Sequence, residues 1–418
     1  MGRSCNRDFS SKSVDISAET DKFLRFQQGV FMGKRKKHIL INVETSRAYG
    51  RNIIRGVSQY LIENGGWTVY LEDRGLQENH DWVKNWQGDG IISRTSSYEM
   101  AALIAEKRIP IVEMLGDGKT VVSEVPANEQ TGAYLAAEHL IECQLKHFAF
   151  FAYGNVWWGK LRGKFFLEAL AQHKFSPHIF PGHLAGPWSI YPHWEAEYDQ
   201  MLPQWLTQLP KPVGLWAVND FAATRIIEAC EHARIAIPEE IALLGTTNDT
   251  LLCNLLTPPL SSVDLNSFQA GYSAAKILDA KMRQKEIPQT PVLIPPLGVV
   301  KRQSTDMTVV TDSDVAEALR YIRSNGGEGI SVVEVANHVN LSQSTLERRF
   351  REHIKRTPEK EILRIRIKRI QTLLLESDFP LREICRKTGF ATPEYMIQVF
   401  RCETGLTPKE YRTQLRRE

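Results

Sequence analysis

The sequence predicts an α/β domain built on parallel sheets, followed by an all-α domain that carries two helix-turn-helix units. Three observations lead there. From His38 to about Ile294, fully apolar runs of strand length alternate with stretches of helical periodicity, the pattern of parallel sheets covered on both faces. From about Asp314 to Arg412 the chain reads as helical throughout, and one pattern is written there twice, about 49 residues apart. Between the two halves, Ser304 to Ser313 is polar without a helical period and reads as a linker.

Residues 1–36 are polar and charged and lack the apolar segment of a secretory signal, so a disordered extension is expected. His38 to Val43 then opens a buried strand, followed by a helix around Tyr49 to Glu63. Trp67 to Leu71, Gly90 to Ile92, Ile109 to Val112 and Phe148 to Phe151 repeat the strand pattern, as do Gly214 to Val218 and Ile241 to Gly245. Ligands of such sheets bind outside the carboxyl ends of the strands. The loop from Asn42 to Tyr49 and the pair Asn219 and Asp220, directly after a strand, are therefore where a cleft should open. A catalytic α/β enzyme is compatible with the same grammar.

In the helical half, the first copy runs Glu334, Val335, Ala336 to Asn340 and Leu341, and the second Glu383, Ile384, Cys385 to Gly389 and Phe390. Each has a small residue that lets a second helix approach. Four residues later comes one that enters the left-handed turn cheaply, then an apolar one. Leu346 and Phe350 anchor the next helix in copy one; Met396 and Phe400 do so in copy two at an offset of 50, so the second copy holds one extra residue. Two such patterns in register, joined by a long helical stretch, indicate a paired DNA-reading module.

Composition narrows the classes. The chain is 42% hydrophobic and 24% charged, ordinary globular values, and no run approaches the ~18 apolar residues of a membrane span. Residues 311–418 hold 20 Lys+Arg against 16 Asp+Glu and the rest 32 against 33, so the small excess of positive charge falls on the helical half. The six cysteines are scattered with no Cys-x-x-Cys, which suits reduced thiols in a cytoplasmic protein; neither metal nor cofactor is expected.

The carboxy-terminal hundred residues resemble the AraC-type transcription-activator domain. The matching positions are Ile330 to Val332, Leu341, Ser342, Leu346 to Phe350, Arg366, Ile367, Leu373, Leu374, Glu383, Ile384, Gly389 and Phe390, with Gly405, Pro408, Tyr411 and Arg412. The amino-terminal core resembles the two-lobed sugar-binding domains of LacI-type repressors and periplasmic sugar receptors. It does so through Glu138 to Leu140, Arg162 to Phe166, Val218 to Asp220, Ile237, Pro238, Leu243 to Gly245 and Pro258 to Val263. With Lys301 to Asp306 closing the core, the combination is similar to the xylose-operon activators. The resemblance implies four parts: residues 1–36, a periplasmic-binding-protein-like domain at 37–303, a linker at 304–313 and a double helix-turn-helix domain at 314–418. It also implies a homodimer that binds double-stranded promoter DNA, answers D-xylose and works with RNA polymerase. Another pentose or related sugar is the alternative effector, and a sugar-metabolising enzyme fused to a DNA-binding domain the alternative of another class. Against the enzyme, the sequence shows no nucleophile elbow, phosphate loop or metal-ligand cluster at recognisable spacing.

The resemblance places sugar contacts at Arg162, Asn219 and Asp220, with Glu44, Ser46 and Tyr49 from the first loop, and Thr247 and Asn248. Asp220 is expected to accept hydroxyls while Arg162 donates to the same ring from the other lobe; an Arg–Asp ion pair bracing the hinge is the plain alternative. Trp157 and Trp158 offer stacking faces or core packing in equal measure. Thr247 stands where the family carries an acid, and Asn128 and Glu129 where it carries Asp-Asn, which puts the sugar's identity in question. Residues opposite the helix anchors face DNA: Ser344, Glu347, Arg348 and Arg351 in copy one, and Glu394, Ile397, Gln398 and Arg401 in copy two. Arg349, Lys368 and Arg369 read as phosphate contacts or plain surface.

Overall fold

The computed structural model describes residues 35–72, 85–94, 106, 109–115, 124–152, 157–181, 194–307 and 312–415. Nearly all of the expected amino-terminal extension, and linker residues 308–311, lie outside them.

The first lobe is a four-stranded sheet, β1 (Lys37–Asn42), β2 (Trp67–Glu72), β3 (Gly90–Ser93) and β4 (Ile111–Glu113), in the order β2-β1-β3-β4 with every pair parallel. Helix α1 (Ala48–Asn64) links β1 to β2. The second lobe holds six strands in the order β10-β9-β8-β7-β5-β6. These are β5 (His147–Phe151), β6 (His178–Ile179), β7 (Val213–Ala217), β8 (Ile241–Thr246), β9 (Ser261–Asp264) and β10 (Gly298–Val300). Its helices are α2 (Glu129–Glu142), α3 (Trp157–Gln172), α4 (Trp194–Gln208), α5 (Asp220–His232) and α6 (Thr250–Leu255). Every residue of β7 and β8 is buried, the reason both read as unbroken apolar runs. β10 pairs antiparallel with β9, an exception at the sheet edge to the parallel arrangement expected.

The chain then returns to the first lobe through α7 (Ser267–Met282), whose apolar face joins the core of α1 and the first sheet. The two helices cross so closely that a Cβ on Gly56 would sit 2.0 Å from the Phe268 carbonyl oxygen, and one on Gly271 2.0 Å from that of Ile53. Only glycine fits at either point. Two of the segments crossing between lobes run side by side, with Ala127 bridged to Ile294 and the Ile294 amide donating to the Pro126 carbonyl at 2.9 Å. They form a paired hinge at the back of the cleft.

The helical domain contains α8 (Ser313–Asn325), α9 (Val332–His338), α10 (Gln343–Ile354), α11 (Pro358–Glu376), α12 (Leu381–Lys387), α13 (Pro393–Thr404) and α14 (Pro408–Leu415). It has two small cores, and α11 serves both: Ile362 and Ile365 pack with Leu346 and Phe350, while Ile367, Ile370 and Leu374 pack with Met396 and Phe400. Burying each of these large side chains stabilises the domain by roughly 1.5–3 kcal/mol. Both turns take the expected left-handed residue, Asn340 at φ 55° and Gly389 at φ 67°. Matching amides close them, Leu341 to the Ala336 carbonyl and Phe390 to that of Cys385. Ser342 caps α10 and Thr392 caps α13, so the extra residue of the second copy is Ala391, between turn and cap.

The expected linker begins later than residue 304. Ser304 and Thr305 are buried in a short 3-10 turn (Gln303–Thr305): the Ser304 hydroxyl donates to the Leu243 carbonyl (2.6 Å) and accepts from the Ser261 amide (2.8 Å). Two small hydroxyls can serve as internal backbone partners as readily as they can face water, which is why their polarity misled the boundary. Among the described residues no helix is long and apolar enough to cross a membrane.

Candidate functional site

A cavity of about 650 Å³ lies between the lobes, at the carboxyl ends of the strands. The first lobe contributes Glu44, Ser46, Arg47, Tyr49, Arg51 and Arg94, and the second Glu129, Trp157, Trp158, Arg162, Asn219, Asp220, Phe221, Thr247 and Asp249. Of the residues expected here, all but Asn248 line it.

Each arginine among the described lining residues has a partner. Arg162, on α3, sits over the Trp158 ring (4.8 Å); its Nε and Nη2 donate to the two oxygens of Glu129 (2.5 and 2.9 Å), and Nη1 donates to the Val218 carbonyl (2.5 Å). Two of its five N–H groups are left over from these bonds. Arg47 lies 3.9 Å from Glu44 and over the Phe221 ring of the opposite lobe, and the Ser46 hydroxyl donates to Glu44. Arg94 covers Tyr49, whose hydroxyl burial pushes above its usual pKa. Arg51 reaches Asp249 at 3.4 Å.

Asp249 bridges the lobes. One oxygen accepts from the Ala48 amide at the start of α1 (3.0 Å) and the other caps α6 through the Leu252 amide (3.4 Å). The carboxylate missing at Thr247 is thus supplied two positions on, and the capping signature Asp249-Thr250-Leu251 was the signal that would have found it. Glu129 is the other participant that spacing concealed: it appeared only as a departure from the family pattern, yet it is Arg162's partner.

Asp220 departs from expectation. It and Arg162 belong to the same lobe, so they do not grip a ring from opposite sides, and they do not form the ion pair considered as the alternative. The Asp220 side chain is 1% exposed: one oxygen accepts from the Ser262 hydroxyl (2.6 Å), the other from the Thr247 hydroxyl (3.0 Å) and the Asp249 amide (2.7 Å). Burial raises its pKa to about 6 despite these bonds. Its main work is to hold the loop at residues 247–249. Asn219 caps α5 by accepting from the Ala222 amide. Asn248 points out of the cavity because Thr247 and Asn248 both take positive φ (100° and 48°), which swings the side chain to the far side. There it donates to Asp264 (3.0 Å) and accepts from Arg302 (2.9 Å).

On the helical domain, Ser344, Arg348, Arg351, Glu394, Gln398 and Arg401 are exposed, opposite the buried anchors, as the periodicity requires. Glu347 and Ile397 are half-buried, and Ile397 packs partly on its own core. Arg348 pairs with Glu352 (2.8 Å) and Arg351 with the half-buried Glu347 (3.6 Å), surface pairs of small energetic weight. Two residues read as phosphate or surface groups are committed elsewhere. Arg349 holds Asp312 (3.1 Å) and Asp314 (2.7 Å) at the start of α8, and Lys368 pairs with Asp306 (2.5 Å) at the joint between the domains.

Three family descriptions match the chain in succession: a XylR N-terminal domain over residues 38–134, a periplasmic binding protein-like domain over 137–305 and a helix-turn-helix domain over 335–414. The xylose operon regulatory protein of Escherichia coli (strain K12) is 30% identical over 390 residues, 91% of this chain and 98% of that protein. Its counterpart in Haemophilus influenzae is 30% identical over 383 residues, covering 90% and 97%. The solved structure of a xylose-binding transcription activator, xylR, matches with a TM-score of 0.77 at 29% identity, over 91% of this chain and 99% of that one. A LacI-type regulator from Alkaliphilus metalliredigens complexed with D-xylulofuranose (TM-score 0.53, 17% identity, 65% and 100% covered) shares the α/β fold alone. With its two-lobed core and double helix-turn-helix domain matched in order and nearly end to end, the chain belongs to the family of xylose operon regulatory proteins.

Proposed function

We propose that the chain is a D-xylose-responsive transcription activator, a cytoplasmic homodimer that binds promoter DNA and contacts RNA polymerase there. The observation that carries the sugar reading is the charge pairing of the cavity. Of the four arginines among the described lining residues, Arg47, Arg51 and Arg162 each face a carboxylate and Arg94 covers the Tyr49 ring, so most of the cavity's positive charge is already matched. What remains is a set of fixed donors and acceptors beside aromatic faces, which suits a neutral polyhydroxyl molecule and disfavours a sugar phosphate. In this reading the two remaining N–H groups of Arg162 donate to ring hydroxyls, Glu129 and Asp249 accept, and Trp158 supplies the wall. Tyr49, Ser46, Glu44 and Asn219 complete the contacts.

The DNA reading rests on two helix-turn-helix units with correctly turned, exposed second helices. Arg348 is assigned to guanine, Gln398 to adenine and Glu347 to cytosine, while Ser344, Arg351, Glu394, Ile397 and Arg401 flank them.

Calorimetry with D-xylose, L-arabinose, D-ribose, D-xylulose, D-glucose and D-xylose 5-phosphate tests the effector. D-xylose should bind in the tightest class, and at ~100 times its Kd should add about 2.7 kcal/mol of stability. The phosphate ester should fail to bind. Turnover of labelled D-xylose would overturn the assignment in favour of an enzyme.

A further inference from the structure

Asn248, turned out of the cavity, marks the start of a continuous line of bonds that ends on the DNA-binding domain. Its neighbours Thr247 and Asp249 line the cleft, and its own side-chain Oδ1 accepts from Arg302 Nη2 (2.9 Å). The Arg302 guanidinium gathers two further groups: Nε donates to Asn254 Oδ1 (3.0 Å) and Nη1 to the Leu260 carbonyl (2.9 Å). Asn254 lies on α6, the short helix whose Leu251, Leu252 and Leu255 also line the cleft. One side chain therefore reads the position of the whole segment from 247 to 260.

The Arg302 backbone leads directly into the buried turn. Its amide donates to the Ser261 hydroxyl (2.7 Å), to which Thr305 also donates (2.8 Å). The next residue is Asp306. Its carboxylate accepts from Lys368 Nζ (2.5 Å) and from Arg364, both on α11, and its carbonyl accepts from Arg323 Nη2 (2.8 Å) on α8. Arg323 also pairs with Glu239 of the second lobe, both side chains 6% exposed. Helix α11 belongs to both helix-turn-helix cores, so whatever orients α11 orients both reading helices.

We infer that Arg302 and Asp306 are the positioning residues that couple occupancy of the sugar cleft to the placement of the DNA-binding domain. The inference rests on the functional reading above and adds its route. Closure of the cleft on a sugar moves the loop at 247–249 and α6, and Arg302 hands that shift through the buried, hydrogen-bonded turn at Gln303–Thr305 to Asp306. The Asp306 clamp on Arg364 and Lys368 then exists in two arrangements of unequal stability. A ligand shifts such an equilibrium only by its differential affinity for the two states, and the coupling is reciprocal. A physical route of this kind is read out as a coupling free energy between the two sites.

The full-length wild type, Arg302→Met and Asp306→Asn would be compared by D-xylose calorimetry and by titration of a labelled duplex, selected by the wild type from random sequence in D-xylose. Wild type should bind this duplex at least fivefold more tightly with saturating D-xylose. Asp306→Asn touches neither the cleft nor the reading helices. It should keep the D-xylose Kd within about threefold while its sugar-dependent DNA ratio falls towards one. Arg302→Met should behave the same way, and Arg302→Lys should restore less than half of the ratio because it lacks the three-way fork. If both Asp306→Asn and Arg302→Met fold, bind D-xylose and retain the wild-type ratio, the route is overturned while the sugar-responsive function stands. A wild type whose DNA affinity ignores D-xylose although calorimetry shows binding overturns both.

Discussion

Replacing Asp220 separates a buried, bracing carboxylate from a simple sugar contact. Its carboxyl is raised from 3.8 to about 6 by burial, so the folded protein holds the proton more tightly than the unfolded chain. The stability linked to that proton is fully present below about pH 4 and is lost as pH rises through 6. Two pKa units correspond to about 3 kcal/mol at 1.36 kcal/mol per unit. Asp220→Asn removes this dependence and keeps the geometry. The amide oxygen can take the position that accepts from Thr247 and the Asp249 amide, and the NH₂ can donate to the Ser262 hydroxyl. The variant should match wild type near pH 4 and exceed it by up to about 3 kcal/mol at pH 7. Asp220→Ala instead strands three buried donors at ~1–3 kcal/mol each, partly offset by relief of the buried charge, for a net loss of about 3 kcal/mol at neutral pH. Denaturant unfolding of the three proteins at half-unit steps from pH 4 to 8 reads both effects. If the Asn variant tracks wild type at every pH, or the Ala variant unfolds at the wild-type midpoint, the bracing role is wrong.

Glu129→Gln should weaken D-xylose binding by roughly tenfold in calorimetry. It breaks the charged two-point grip that holds Arg162, an interaction of about 1.5–3 kcal/mol. Gly389→Val should lower the melting stability of the helical domain by at least ~1–2 kcal/mol, since a β-branched residue is forced to φ 67°. Asn340→Val should act in the same direction at φ 55°, and wild-type melting of either would show the turn to be misassigned. Arg348→Ala should cost about 1–3 kcal/mol at one base pair in a binding-site substitution series and relax preference there. Uniform weakening on all sequences would make Arg348 a phosphate contact. DNA affinity of the full chain should fall steeply and linearly with log salt, the signature of counterion release.

Features set by neighbours a few residues apart were legible in the sequence alone. Unbroken apolar runs announced β7 and β8, because a strand buried on both faces has no polar side to show. The turns at Asn340 and Gly389 were legible because positive φ is a property of single residues, and the fifty-residue offset foretold one extra residue, which the structure places at Ala391. The cleft's location followed from strand polarity, so Asn219, Asp220 and the loop after β1 all arrive at the cavity. The charge pattern inside it was decided by tertiary structure. Arg162 took Glu129, 33 residues away, and Asp249 took the Ala48 amide, 201 residues away. No local pattern ranks one carboxylate above another when several approach the same cleft. Two consecutive positive φ angles turned Asn248 outward between two cleft residues, and two buried hydroxyls carried the α/β core past its expected end. Sequence determines which residues are available at each strand end. Only the packed lobes determine which face each one shows, because burial leaves a charge or a hydroxyl stable solely where a partner already stands.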